Sequence, residues 1–330
     1  MSVRSFLTGC FATSLFVGSV ATRADEPMWL PVRDQNPFVL GAGIPLLPEP
    51  LTHPGSWSVD TYIAEANSQL ISNARDTSVL FAAETRESRV AVSYAINEDW
   101  TARASLGDVW IGVGFLDSSI QHFHSLIGAP CGYRGGRLGV RPPYIRVTQD
   151  GDVLYQLDRP GQALAPLLMD LTRSWNLRES TSFGVDFAVK LPIGDTKRLS
   201  DTGSTGESFS LYWDTVWRDD IHVGARIGYL HESGNDVLPT LARTTAPFAD
   251  AYARVPFLGQ WSVQLQYDAH AALYSNVPDF LRYAGILSLG LARPIGARSE
   301  LVLGVSEDVP MCHTQDVALM VALRVRSDRP

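Results

Sequence analysis

The chain has 330 residues, a formal net charge of −8 and 45% hydrophobic residues. An acidic chain without a cluster of Lys and Arg cannot neutralise a row of phosphates, which excludes nucleic acid as a partner. Three cysteines do not make a disulfide scaffold, and with no CxxC or HExxH spacing neither a metal nor any other cofactor is indicated.

Residues 1–24 read as a signal peptide. "MSVRSFLTGCFATSLFVGSVATRADEP" carries Arg4, an apolar run from Phe6 to Val20 and small residues before a cleavage point near Ala24, and turns polar at Asp25. The run is too short and too rich in Ser, Thr and Gly to span a membrane as a helix. "LTGC" has the form of a lipoprotein box ending at Cys10, but only about six residues precede it, too few for a working apolar region. Cleavage removes Arg4 and Arg23 and no acid, so the mature chain is more acidic still. The chain is thereby addressed to an exported, oxidising compartment, where Cys131 and Cys312 can pair. An N-terminal extended segment over 25–55 follows, and then one domain over 56–330.

Segments near 57–69, 77–85, 88–97 and 101–113 alternate apolar and polar residues, with some noise. "GFLDSSIQHFHSLIGAP", residues 114–130, breaks that rhythm. Ser118 and Gln121 form a capping box; Ile120, Phe123 and Ile127 share one stripe beside Leu116; Gly128 and Pro130 stop the pattern. The spacing predicts one short amphipathic helix over 118–127, inserted in a loop, that caps or plugs one mouth of the domain. His122 and His124 point about two hundred degrees apart on it, so they cannot share a metal.

Alternation resumes over 166–177 and becomes strict. Phe183, Val185, Phe187, Val189 and Leu191 form one face, with Asp186 and Lys190 on the other. Phe209 to Trp217, Ile221 to Tyr229, Trp261 to Tyr267 and Val317 to Val325 repeat it. A soluble β-sandwich and a membrane barrel both alternate in this way, and strand length separates them. Sandwich strands average about five or six residues and tilted spanning strands need about nine to eleven; these run longer still. Apolar faces end on Trp217, Tyr229, Trp261 and Tyr283, as an aromatic girdle requires. The opposite faces carry Asp186, Lys190, Asp214, Arg226, Gln266, Asp268 and His270, ruinous in a dry core but suited to a polar lumen. Short connections alternate with long ones. The expected fold is all-β: an antiparallel up-and-down transmembrane barrel of about twelve to fourteen strands.

"RDQNPFVLGAGIPLLP", "GFLDSSIQHFHSLIGAPCGYR", "GNDVLP", "VQLQYDAHAALY", "VSEDV" and "TQDVALMVALRV" together resemble a bacterial family catalogued as a domain of unknown function and described as outer-membrane-protein-like. The resemblance covers most of 33–326 in the same order. It implies an outer-membrane barrel and brings no activity, substrate or catalytic residue. Outer-membrane lipid and the barrel-insertion machinery are the partners such a barrel implies. Its last strand ends "LRVRSDRP", without the terminal aromatic residue which that machinery commonly reads.

Three functions follow. The first is a structural barrel or narrow conduit for small solutes or lipid, ligand unspecified, whose lumen closes by pairing Lys190 and Arg226 with Asp186, Asp214 and Asp268. The second is a lipid hydrolase, because "GYLHESGND" at 228–236 resembles the histidine-x-serine site of outer-membrane phospholipase. His231 and Ser233 share one strand face, as a base and its nucleophile require. The next strand lacks the orienting Asn, and Asp250 is its nearest substitute. The third is a soluble periplasmic β-domain. Counting hairpins back from the C-terminus puts Cys312 in the last outer loop, and a bridge to Cys131 would hold the 118–127 helix at that mouth as a lid.

Overall fold

The computed structural model describes residues 28–116, 120, 143–178, 180–218, 220–311 and 313–327. Among them, fifteen strands make one antiparallel sheet. Twelve close into a ring: β1 (Trp57–Ala74), β2 (Thr77–Ala95), β3 (Trp100–Gly112), β7 (Leu167–Arg178), β8 (Thr181–Leu191), β9 (Gly206–Trp217), β10 (Ile221–Glu232), β11 (Thr245–Leu258), β12 (Trp261–His270), β13 (Ala284–Pro294), β14 (Ser299–Asp308) and β15 (Val317–Arg326). β1 pairs with β15 from Ser58↔Arg326 to Asn67↔Val317, so the sheet has no open edge along the ring. β4 (Tyr144–Gln149) and β5 (Asp152–Leu157) form a side hairpin on Thr77–Ala82 of β2, and β6 (Gly161–Leu164) pairs with Asp108–Ile111 of β3.

The segments 77–85 and 88–97, which alternate separately in the sequence, are one strand of 19 residues. The polar "ETRES" between them is a paired patch and no turn. Outward-facing Arg86 bonds Glu65 across the β1–β2 ladder and lies 5.0 Å over the Trp110 ring.

The two faces sort as period-two patterning requires. Leu265 and Tyr267 are exposed on the outer surface of β12, whereas Gln264 and Gln266 are buried inside. Short turns at 96–99, 179–180, 218–220, 259–260 and 295–298 lie at one end, and the connections 113–166, 192–205, 233–244, 271–283 and 309–316 at the other. Trp57, Tyr94 and Trp217 ring the outside near the short turns; Tyr229 and Tyr283 stand near the long connections, and Trp261 is half-buried under Arg293.

The N-terminal segment does not run along the outside. Residues 28–50 fold into the barrel and are almost wholly buried there. One leg passes from Met28, whose N–H donates to Glu300 Oε2 at 2.9 Å, up to a single helical turn, α1 (Pro37–Leu40). Asn36 caps that turn by accepting from the Phe38 N–H, and Pro37 opens it. The second leg returns to Leu51, whose N–H donates to Thr101 Oγ1 at 2.9 Å. The wall is shaped for the first leg: a Cβ at Gly290 or Gly304 would come within 2.6 Å of the Leu30 side chain.

Two apolar clusters flank the polar middle. At the long-connection end Phe38, Val39 and Leu40 pack with Phe81, Ile111, Ile145, Leu199, Leu238, Tyr274 and Phe280. Met28, Leu30 and Val32 pack lower down against Tyr62, Ile286, Val302 and Met320.

Candidate functional site

Asp186, Lys190, Asp214, Arg226, Gln266, Asp268 and His270 lie on the interior faces of β8 to β12, and all but Asp214 and Asp268 are fully buried. Their pairing differs from the sequence expectation. Lys190 reaches Glu232 Oε1 at 2.6 Å, with Asp201 at 3.6 Å, and Arg226 Nε donates to Asp250 Oδ2 at 2.5 Å. Asp186 accepts from Thr172 Oγ1 at 2.6 Å, and Asp268 from Gln266 Nε2 at 2.9 Å. The reason is register. Glu232 sits two strands from Lys190 yet meets it directly, with the loop residue Thr202 bonded to both, whereas Asp250 stands directly across the β10–β11 ladder from Arg226.

The remaining donor capacity of these bases goes to the inserted segment. Lys190 Nζ donates to the Gly41 carbonyl at 2.9 Å, and Arg226 donates to the Leu46 and Pro45 carbonyls at 2.7 and 3.0 Å. Asp34 in the first leg accepts from His270 Nε2 at 2.8 Å and from Thr314 Oγ1. His270 Nδ1 lies 2.9 Å from the Ala271 carbonyl, so both ring nitrogens face oxygen atoms. Arg33 donates to Glu87 at 3.0 Å, and Glu49 meets Arg324, which also forks onto Asp60 at 2.6 and 2.9 Å. Tyr274, in the connection after β12, donates to the Phe38 carbonyl at 2.7 Å. Burial pushes its phenol above the usual range, so it remains a donor.

The sequence reading missed this plug. Its signal was present: "FVLGAGIPLLP" is too apolar for an exposed linker and has no strand period, and Arg33 and Asp34 stand just before it. Such a segment has to be buried somewhere polar enough to meet its charges.

The hydrolase arrangement is not assembled. His231 and Ser233 are exposed on the outer side, and the Ser233 hydroxyl bonds Thr205 Oγ1 at 3.0 Å. Asp250 points into the barrel on the opposite face and is taken by Arg226, so it cannot orient His231. Among the described residues no group of His, Cys, Asp and Glu is placed to hold a metal. Cys131, Cys312 and the 118–127 helix lie outside the described residues, except Ile120, which is buried with Leu116 and Val317.

With this geometry in view, the comparisons with known proteins are direct. A family described as a protein of unknown function, DUF3187, matches residues 6–327. The chain belongs to that family. No curated protein matches the sequence. Among solved structures, an outer membrane channel from Pseudomonas putida F1 is similar at a TM-score of 0.56 and 9% identity, covering 83% of this chain and 96% of the channel. The NanC porin is similar at 0.48 and 8% identity, with 81% and 98% covered, and the KdgM porin at 0.46 and 8%, also with 81% and 98% covered. At such identities the first of these supports the fold alone.

Proposed function

We propose that this chain is an outer-membrane barrel, exported by its N-terminal signal and placed in outer-membrane lipid by the barrel-insertion machinery. In this reading it conducts small polar solutes when the two legs of residues 28–50 leave the lumen wall. The observation that carries this is how the lumen is filled. A purely structural barrel can close itself with wall side chains. Here Lys190 and Arg226 close on the backbone carbonyls of a separate segment. Such bonds exchange with water at a net difference of about 0.5–1.5 kcal/mol each, more where a charge is involved. Withdrawal of the legs therefore leaves walls that are mostly polar and hydrated, with one apolar patch at Tyr62, Ile286, Val302 and Met320. The Pseudomonas channel that shares the fold is itself a channel, which agrees with this reading.

Planar-bilayer recording tests it. The intact protein should give low, intermittent conductance, and deletion of residues 28–51 behind the retained signal should give a stable open level. A deletion variant that folds, judged by heat-modifiable mobility, yet stays closed would sink the gate. Recovery of the intact protein in osmotic-shock fluid in place of the outer-membrane fraction would restore the soluble periplasmic reading.

A further inference from the structure

At the short-turn end the plug stands off the wall of β7 to β11 and leaves a cavity of about 160 Å³. The plug contributes Trp29 and Glu49, and the wall contributes Tyr212, Asp214, His222 and Tyr252. The Trp29 ring lies 4.4 Å from the Tyr252 ring at 55° and meets His222 edge-on at 6.4 Å, so an aromatic corner is built between the two parts. Among the described residues no lysine or arginine lines the cavity. Of the nearby bases, Arg226 is committed to Asp250, and Arg324 to Asp60 and Glu49, so Glu49 is already paired and Asp214 is the carboxylate left to a ligand. Serine hydroxyls and the Asn176 amide complete the lining.

Those groups select by charge. Asp214, with no base beside it in the described lining, repels an anion. Aromatic faces beside a carboxylate attract an ammonium group both by charge and by the ring quadrupole. The hydroxyl-rich side suits a solute that also carries hydroxyl groups. We propose that this cavity binds a small hydroxylated organic ammonium compound, held between Trp29 of the plug and Asp214 of the wall. Because the site exists only while the plug is seated, its ligand favours the closed barrel; that consequence alone rests on the gated-conduit reading.

Calorimetric titration of the full chain in detergent tests the site, with choline as probe, glycerol and acetate as controls, and constant ionic strength. Choline should bind while neither control does. Asp214→Asn should weaken it about tenfold or more, and Trp29→Leu, which keeps apolar volume but removes the ring, should do likewise. Unheated electrophoretic mobility reports that each variant is folded, and if Asp214→Asn is not, Trp29→Leu decides. Absence of choline binding, equal binding of glycerol, or binding that survives substitution in a folded variant overturns the assignment. The two readings fail separately: choline binding with a closed deletion variant removes the conduit and leaves the site, while an open deletion variant with no choline binding does the reverse.

Discussion

The two parts of the inserted segment are held by different physics. Its tip, Phe38 to Leu40, sits in an apolar cap built from the long connections, β2 and β3, and the side hairpin, much like the core of a soluble domain. Its legs lie mostly among charged side chains of the wall, which hold carbonyl oxygens and paired carboxylates, with one apolar contact where Met28, Leu30 and Val32 pack. Apolar burial is lost outright when a contact opens, at about 1.5–3 kcal/mol per large side chain. A charged hydrogen bond that opens into a hydrated lumen is largely replaced by water. On the gated-conduit reading the tip is the anchor and the legs are the exchangeable part.

Four substitutions break or sharpen that contrast. Phe38→Ala should cost about 3–5 kcal/mol in the denaturation of the cap and speed proteolysis of the long connections. The lumen should stay electrically closed, and an open level as high as that of the plug deletion would make the tip the gate. Arg226→Met strands Asp250 and two plug carbonyls. Where water does not reach Asp250 the loss is about 3–5 kcal/mol, and here the expected signature is raised conductance at smaller loss, because the legs are loosened. A silent bilayer with full loss of stability would show that the legs are as dry as the tip.

On the outer surface, Leu265→Arg at mid-bilayer should cost about 2–4 kcal/mol, read from refolding into lipid vesicles. Equal tolerance of Leu265→Arg and of Gln266→Arg, on the inner face of the same strand, would reverse the assignment of faces. The smallest effect is expected at the groove for Leu30. Gly290→Ala should destabilise by about 1–3 kcal/mol through overpacking, with part recovered by adding Leu30→Ala. A double-mutant cycle without coupling would mean that Leu30 does not seat there.

The barrel was legible because its signal is local. Alternation along Phe183 to Leu191 or Val317 to Val325 states which residues face out, and a wall with one apolar and one charged face has few places to be. The strand count was less legible. "ETRES" looks like a break until Glu65 and Trp110, from two other strands, are seen to satisfy Arg86. The interior positions of Lys190 and Arg226 were readable by parity, but Glu232 and Asp250 were not nameable as their partners. Glu232 carries no local signal, and Asp250 faces away from His231, because strand pairing registers are long-range facts.

The sequence by itself determined the twofold pattern, the long strands and the polar interior, since each follows from which side chain comes next to which. Only the tertiary structure decided that "RDQNPFVLGAGIPLLP" turns inward and fills the lumen. That outcome depends on oxygens of Glu87, Asp250 and Glu300, bases at 190, 226 and 324, and the missing side chains of Gly290 and Gly304 converging from separate strands. No window of the chain contains them together; closing the ring does.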